Sequence, residues 1–238
     1  MPRLPPWLES LRRRLGLVTF ATLVTCLGLQ LLFGIAVNLL RSQAALDVYA
    51  QVFALSPGQL LHGHVWTLLT YGAVHDLTDP FHVLFNCMGL FYFMPLFEKR
   101  YGTRATVRFL LLSVLAGGVV QSLWQFVHVY ALGGEPAGTV GISAAVVAFV
   151  AAFGWQQPNA RVQVMFVVPL EARWLAPLGL FVDFLLFVSG SRVAFFAHVG
   201  GYLAAWFLIW GRGDPQFVWQ RLRLHFGKRK ASRLFVVN

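Results

Sequence analysis

Long apolar runs, separated by short polar or basic stretches, set the pattern of this chain. The first covers residues 17–40 and follows Arg12, Arg13 and Arg14. It exceeds the roughly 7–15-residue core of a secretory signal and predicts a membrane-crossing helix. Further helices are predicted over residues 80–97, 107–127, 140–155, 174–188 and 193–210. Asp79 suits a cap and Pro80 a first-turn position, so a helix start is expected there. That helix runs into Glu98-Lys99-Arg100-Tyr101-Gly102, read as a charged stop. Gln156, Gln157, Pro158, Asn159 and Arg161 break the fourth helix. The pattern predicts an all-α polytopic membrane protein with six transmembrane helices over residues 17–210, between a basic N-terminus (1–16) and a basic tail (211–238).

The connection 41–79 is no plain linker, because apolar and aromatic residues crowd 46–55 and 60–74. Two readings stand and do not exclude each other: an interfacial segment with Tyr49, Trp66 and Tyr71 at headgroup level, and a packed loop. His62 and His64 form a His-x-His pair, read as loop histidines because no third ligand lies near in sequence. Gln30 and Asn38, within the first run, face other helices or the interface.

Composition supports the membrane reading: 58% of the 238 residues are hydrophobic and only 12% charged, with mean hydropathy +0.66. Soluble domains are about a quarter charged. The net charge of +10 could suggest nucleic acid, but its distribution explains it better. With six helices, seventeen of the nineteen Lys and Arg residues fall on one side and only Arg41 and Arg192 on the other. Basic residues gather in cytoplasmic loops, so both termini are expected in the cytoplasm, with no nucleic-acid partner. Cys26 and Cys87 lie inside apolar runs and suggest neither disulfide nor metal. No internal repeat supports an inverted-repeat transporter.

The second, fourth and sixth helices then enter from the non-cytoplasmic face. His82 and Asn86 lie near the start of one, Ser143 of the next and His198 of the last, at depths agreeing within about 10 Å. The i, i+4 spacing puts His82 and Asn86 on one face. Polar groups in a bilayer must face protein or a water-filled cavity. Gly141 and Ala144 flank the serine, and Gly201 with Ala205 forms a small-xxx-small pair, so the fourth and sixth helices are expected to pack closely. A serine hydroxyl needs an adjacent base to act as a nucleophile, and neutral His198 could take its proton. Oxyanion donors would be backbone N–H groups at Ser143, at a helix N-terminus, with the Asn86 amide and a His82 ring N–H. No acidic third member is obvious. Asp183 lies within the fifth helix, which runs the other way, and is either functional or a hydrogen-bonded structural carboxyl.

His82-Val-Leu-Phe-Asn86, Gly141-Ile-Ser143-Ala144 and Ala197-His198-Val-Gly-Gly201, in that order, resemble the rhomboid family of intramembrane serine proteases. Glu98–Gly102 and Trp66-Thr-Leu-Leu-Thr70-Tyr71 are similar to the family too, and the likeness spans residues 63–210. The resemblance implies a Ser143–His198 dyad, an oxyanion hole involving His82 and Asn86, and no cofactor or metal. It also implies single-span membrane proteins as substrates, cut near the non-cytoplasmic face. The connection 41–79 would be the family's membrane-embedded first loop, and the fifth helix the one proposed to gate entry. The chain departs from the family at Ala144, where glycine is usual, at Thr67, where arginine is common, and at Val147, where some members place a tyrosine against the base. His75 and His82 are also more widely spaced. A bacterial inner membrane is the expected location; oligomeric state is left open. The competing expectations are a non-catalytic rhomboid-like binder of transmembrane helices and a small transporter using Asp183.

Overall fold

The computed structural model describes residues 5–164, 167–191 and 193–210. The basic tail 211–238, Arg192 and residues 1–4 lie outside the described residues.

The polar start holds a helix that the hydrophobic pattern does not predict, α1 (Pro6–Leu15), on which Arg13 pairs with Glu9 at 2.8 Å. Gly16, at φ +94°, breaks it from α2 (Leu17–Phe33), which continues through a π-helical stretch, Gly34–Leu39. The first-turn amides of α2 lack partners within their own helix. Glu98 supplies them, its carboxylate accepting from the Val18 and Thr19 N–H groups at 3.0 and 3.1 Å and from the Thr19 hydroxyl at 3.1 Å. A negative charge also suits that helix end. Glu98 is therefore a buried cap for another helix, within the charged stretch that ends its own: α6 runs Pro80–Tyr101 and is capped by Gly102. At its start Asp79 accepts the Phe81 N–H at 2.9 Å, as the sequence predicts.

Between α2 and α6 the connection folds into α3 (Gln43–Val48), α4 (Pro57–Leu61) and α5 (Thr67–Thr70), with π-helical and 3-10 turns at Tyr49–Phe53 and Tyr71–Ala73. Trp66 is exposed and stacks on His64. Tyr71 is packed inside the protein: it is buried, and its hydroxyl donates to the Val114 carbonyl at 2.9 Å. Thr67 is also fully buried, its hydroxyl donating to the His64 carbonyl. Gln30 of α2 and Asn38 of its π-helical continuation reach this segment, donating to the carbonyls of Asp76 and Leu77 at 3.1 and 2.8 Å.

Beyond α6, α7 (Thr103–Phe126) leads through a π-helical stretch, Val127–Ala131, into the loop before α8 (Ser143–Gln156). A hairpin follows that the sequence reading lacks, β1 (Arg161–Val164) paired antiparallel with β2 (Val168–Glu171). α9 (Ala172–Val188) and α10 (Phe195–Ile209) complete the described chain. The centre is built from α7, α8 and α10, whose shared faces are small: Gly117, Ala144, Ala145 and Ala148, and Gly200, Gly201 and Ala205 are all buried. Small residues let helix backbones approach where apolar burial gives no driving force. The outward faces carry exposed Leu27, Leu31, Leu84, Phe91, Leu123, Phe181 and Leu203. Among the described residues, three helices are long and apolar enough to cross a membrane: Leu17–Leu39, Pro80–Tyr101 and Thr103–Ala131. α8 and α10 are shorter apolar helices held within this assembly.

Candidate active site

α6, α8 and α10 begin at the same end of the bundle. His82 lies against Gly141 and, further along, Gly89 against Val146 and Phe97 against Phe149, so α6 and α8 run parallel. Gly201 of α10 lies against Ala144 of α8, and Trp210 meets Trp155 at the far end. Gly117 of α7 seats both sides of the site, because its Cα faces the Ala144 methyl group and the Ala197 carbonyl. The residue after Ser143 and the residue before His198 thus share one glycine. Gln121 fixes the start of α10 by accepting the Ala197 N–H at 3.2 Å.

Ser143 is the first residue of α8 and is half-buried. Its hydroxyl has no hydrogen-bond partner among the described residues, and its own N–H and that of Ala144 are first-turn amides without intrahelical acceptors. The Ala144 methyl is fully buried against Gly117, and its backbone is helical, so the departure from glycine costs neither strain nor an amide.

The loop before Ser143 is pinned from several directions. Leu55 and Thr139 exchange both backbone hydrogen bonds, at 3.0 and 2.8 Å. Gln125 donates to the Thr139 hydroxyl at 2.8 Å, and the Gly141 N–H to the Tyr71 carbonyl at 2.9 Å. Gly141, at φ +115°, makes the turn; a methyl group there would fall 2.7 Å from His82 Nε2. His82 Nδ1 accepts the Asp76 N–H across a long 3.5 Å contact, which puts its proton on Nε2, beside this loop. Asn86 is buried and gives one amide proton to the His82 carbonyl at 2.9 Å, leaving the other. Of the four polar residues expected together, His82 thus adjoins the serine loop directly and lies within electrostatic range of His198.

One participant escapes the sequence reading as a site residue, and a second is weighed there without a partner. His75 is fully buried, its ring edge-on to His82 at 5.2 Å, and its Nε2 accepts the Ile142 N–H at 3.5 Å. Burial, helped by His82, pushes its pKa down to about 3, so it is neutral. Beside it, burial opposes the charge of Asp76, but hydrogen bonds from Thr78 and from the Asp79 backbone outweigh that and hold the carboxyl below its usual range. The second participant is Asp183 of α9, whose Oδ2 lies 2.7 Å from His198 Nδ1. α9 does run opposite to α8 and α10, yet Asp183 falls at the level of the histidine. His62 and His64 engage the Gly58 carbonyl and the Gln59 side chain, away from these groups.

Comparison with known proteins gives a consistent picture. The family model for the Rhomboid domain matches residues 62–214. The chain is 30% identical over 116 residues, 49% of its length, to the "Rhomboid protease GlpG" of Salmonella choleraesuis (strain SC-B67). It is 27% identical over 174 residues, 67% of its length, to "RHOMBOID-like protein 12, mitochondrial" of Arabidopsis thaliana. The aligned parts span 38% and 50% of those two relatives.

Proposed function

Since the chain belongs to the rhomboid family, we propose that it is an intramembrane serine endopeptidase, cutting peptide bonds in or beside the transmembrane segment of single-span membrane proteins. Ser143 is the nucleophile, and His198 Nε2, the nitrogen left free by Asp183, takes its proton. Ser143 Oγ attacks the scissile carbonyl carbon, and the resulting oxyanion meets the Ser143 and Ala144 N–H groups, His82 Nε2–H and the spare Asn86 proton. The histidine then hands the proton to the departing amine, and water releases the acyl group by the same route. No cofactor or metal takes part.

In this reading six helices cross a membrane such as a bacterial inner membrane, with both termini cytoplasmic. The open end of the site, where α6, α8 and α10 begin, faces the non-cytoplasmic side. The basic residues support it, since Lys99, Arg100, Arg104 and Arg108 cluster at the opposite end of α6 and the start of α7.

One observation carries the reading: Ala144 and Ala197, immediate neighbours of the two reacting residues, converge on Gly117. The test is cleavage of a single-span substrate in liposomes by wild-type and Ser143→Ala protein, beside labelling by a serine-reactive fluorophosphonate. Cleavage and labelling by wild type, both abolished in folded Ser143→Ala, are expected. Folded wild-type protein that neither labels nor cleaves would point instead to a helix-binding, non-catalytic protein.

A further inference from the structure

The contact between Asp183 and His198 has a chemistry that a two-residue dyad does not need. A carboxylate can only accept a hydrogen bond, so His198 must carry its proton on Nδ1 and present the lone pair of Nε2 elsewhere. Both side chains are largely enclosed, at 13% and 19% exposure, so bulk water competes weakly for either. An ionisable group in a membrane helix is costly, and this one has a specific partner. Among the described residues the hydrogen-bond partner of the His198 ring is Asp183 from α9, while the Gln121 oxygen of α7 is occupied by the Ala197 N–H. Among the described residues one carboxylate thus meets the imidazole.

We propose that Asp183 is a positioning residue for the reaction, holding His198 in the Nδ1–H tautomer and at the ring orientation that aims Nε2 towards Ser143. This rests on the reading of Ser143 and His198 as nucleophile and base. Asp183 touches neither serine nor substrate; it acts through the histidine. When His198 takes the serine proton, the same carboxylate lies beside the imidazolium and offsets its charge; the carboxylate itself takes no proton. The place where some relatives put a tyrosine against the base is Val147 here, which has no group able to hydrogen-bond an imidazole. Orientation comes instead from the neighbouring helix. α9 is set for this by aromatic packing where it leads into α10: Phe184 lies on Phe195, and Phe187 on Phe195, Phe196 and Trp124.

The experiment compares wild type with Asp183→Asn, Asp183→Glu and Ser143→Ala, each purified in detergent as the full chain. Steady-state cleavage gives kcat and KM, and NMR of 15N-histidine-labelled protein gives the His198 tautomer, assigned with His198→Gln. Asp183→Asn is expected to lower kcat about 100-fold while KM and melting temperature stay near wild type, with Asp183→Glu restoring part of the loss. Wild-type His198 is expected as Nδ1–H, and Asp183→Asn, whose amide can donate, shifts it towards Nε2–H. A fall in kcat of less than tenfold, or a wild-type Nε2–H tautomer, overturns the proposal. Should Asp183→Asn not fold, Asp183→Glu and the wild-type tautomer decide it. If wild-type protein cleaves nothing while His198 keeps the Nδ1–H form, the protease reading has failed and the pairing has not.

Discussion

The Cα of Gly201 rests on the backbone of Ala144, so close that a side chain at position 201 would overlap the Ala144 carbonyl. This contact sets the spacing of α8 and α10. Gly201→Val is expected to destabilise the protein by about 3 kcal/mol or more, since backbone on both sides must move. Gly28 and Gly179 have open space around them, and alanine there is expected to be neutral or stabilising by up to about 1 kcal/mol. Thermal unfolding of the three variants in one detergent checks the contrast.

Gly141→Ala combines an unfavourable positive φ with a collision against His82 Nε2. It is expected to cut kcat as deeply as His82→Ala, by about 100-fold, the effect of losing one oxyanion donor. Melting temperature should fall more for Gly141→Ala than for His82→Ala. Equal wild-type kcat in the His82 variant would remove that ring from the oxyanion site.

Glu98 offers a stability test far from the reaction. Glu98→Ala leaves the Val18 and Thr19 N–H groups without their acceptor, at a cost of about 1–3 kcal/mol for each buried orphan. Gly16→Ala presses on the same carboxylate, with its methyl 2.5 Å from Oε2, and is expected to act in the same direction. If the two losses share one cause, the double variant will be less destabilised than the sum of the singles, as measured by denaturant or heat.

His75 predicts an acid sensitivity. Its imidazole stays neutral in the fold down to about pH 3, while in the unfolded chain it gains a proton near pH 6.5. Between those values the unfolded state binds more protons, so stability falls as pH falls, by up to about 1.4 kcal/mol per pH unit. The effect is absent above about pH 7 and greatest near the lower limit. His75→Gln should flatten the slope of melting temperature against pH below 6.5; an unchanged slope would assign the sensitivity to other groups.

Much of the arrangement was legible beforehand because membrane helices announce themselves by local apolarity, and because Asp79, Pro80, Gly141 and Gly201 mark starts and contacts by residue type. What escaped was relational. Glu98 in Glu98-Lys99-Arg100 reads as a stop from its neighbours, and only the approach of α2 turns it into a cap. Asp183 sits on an antiparallel helix whose depth no spacing rule supplies, so its partner emerged only with the fold. Tyr71 has the amphipathic character of an interfacial residue, and it took the Val114 carbonyl to claim its hydroxyl inside. The hairpin of β1 and β2 is too short to print a periodicity.

The first span can be seen as a separable part. The Rhomboid domain match begins at residue 62, after α2, and α2 buries only Val18, Thr19, Cys26 and Phe33. What docks it is a set of addressed polar latches: Glu98 at one end, and Gln30 and Asn38 on the Asp76 and Leu77 carbonyls at the other. Cutting the chain between residues 41 and 42 would turn this docking into a two-body association. Co-expressed halves are expected to co-purify and to part when Glu98 and Gln30 are both replaced by alanine. The strength of a membrane helix's docking could then be read as a dissociation constant.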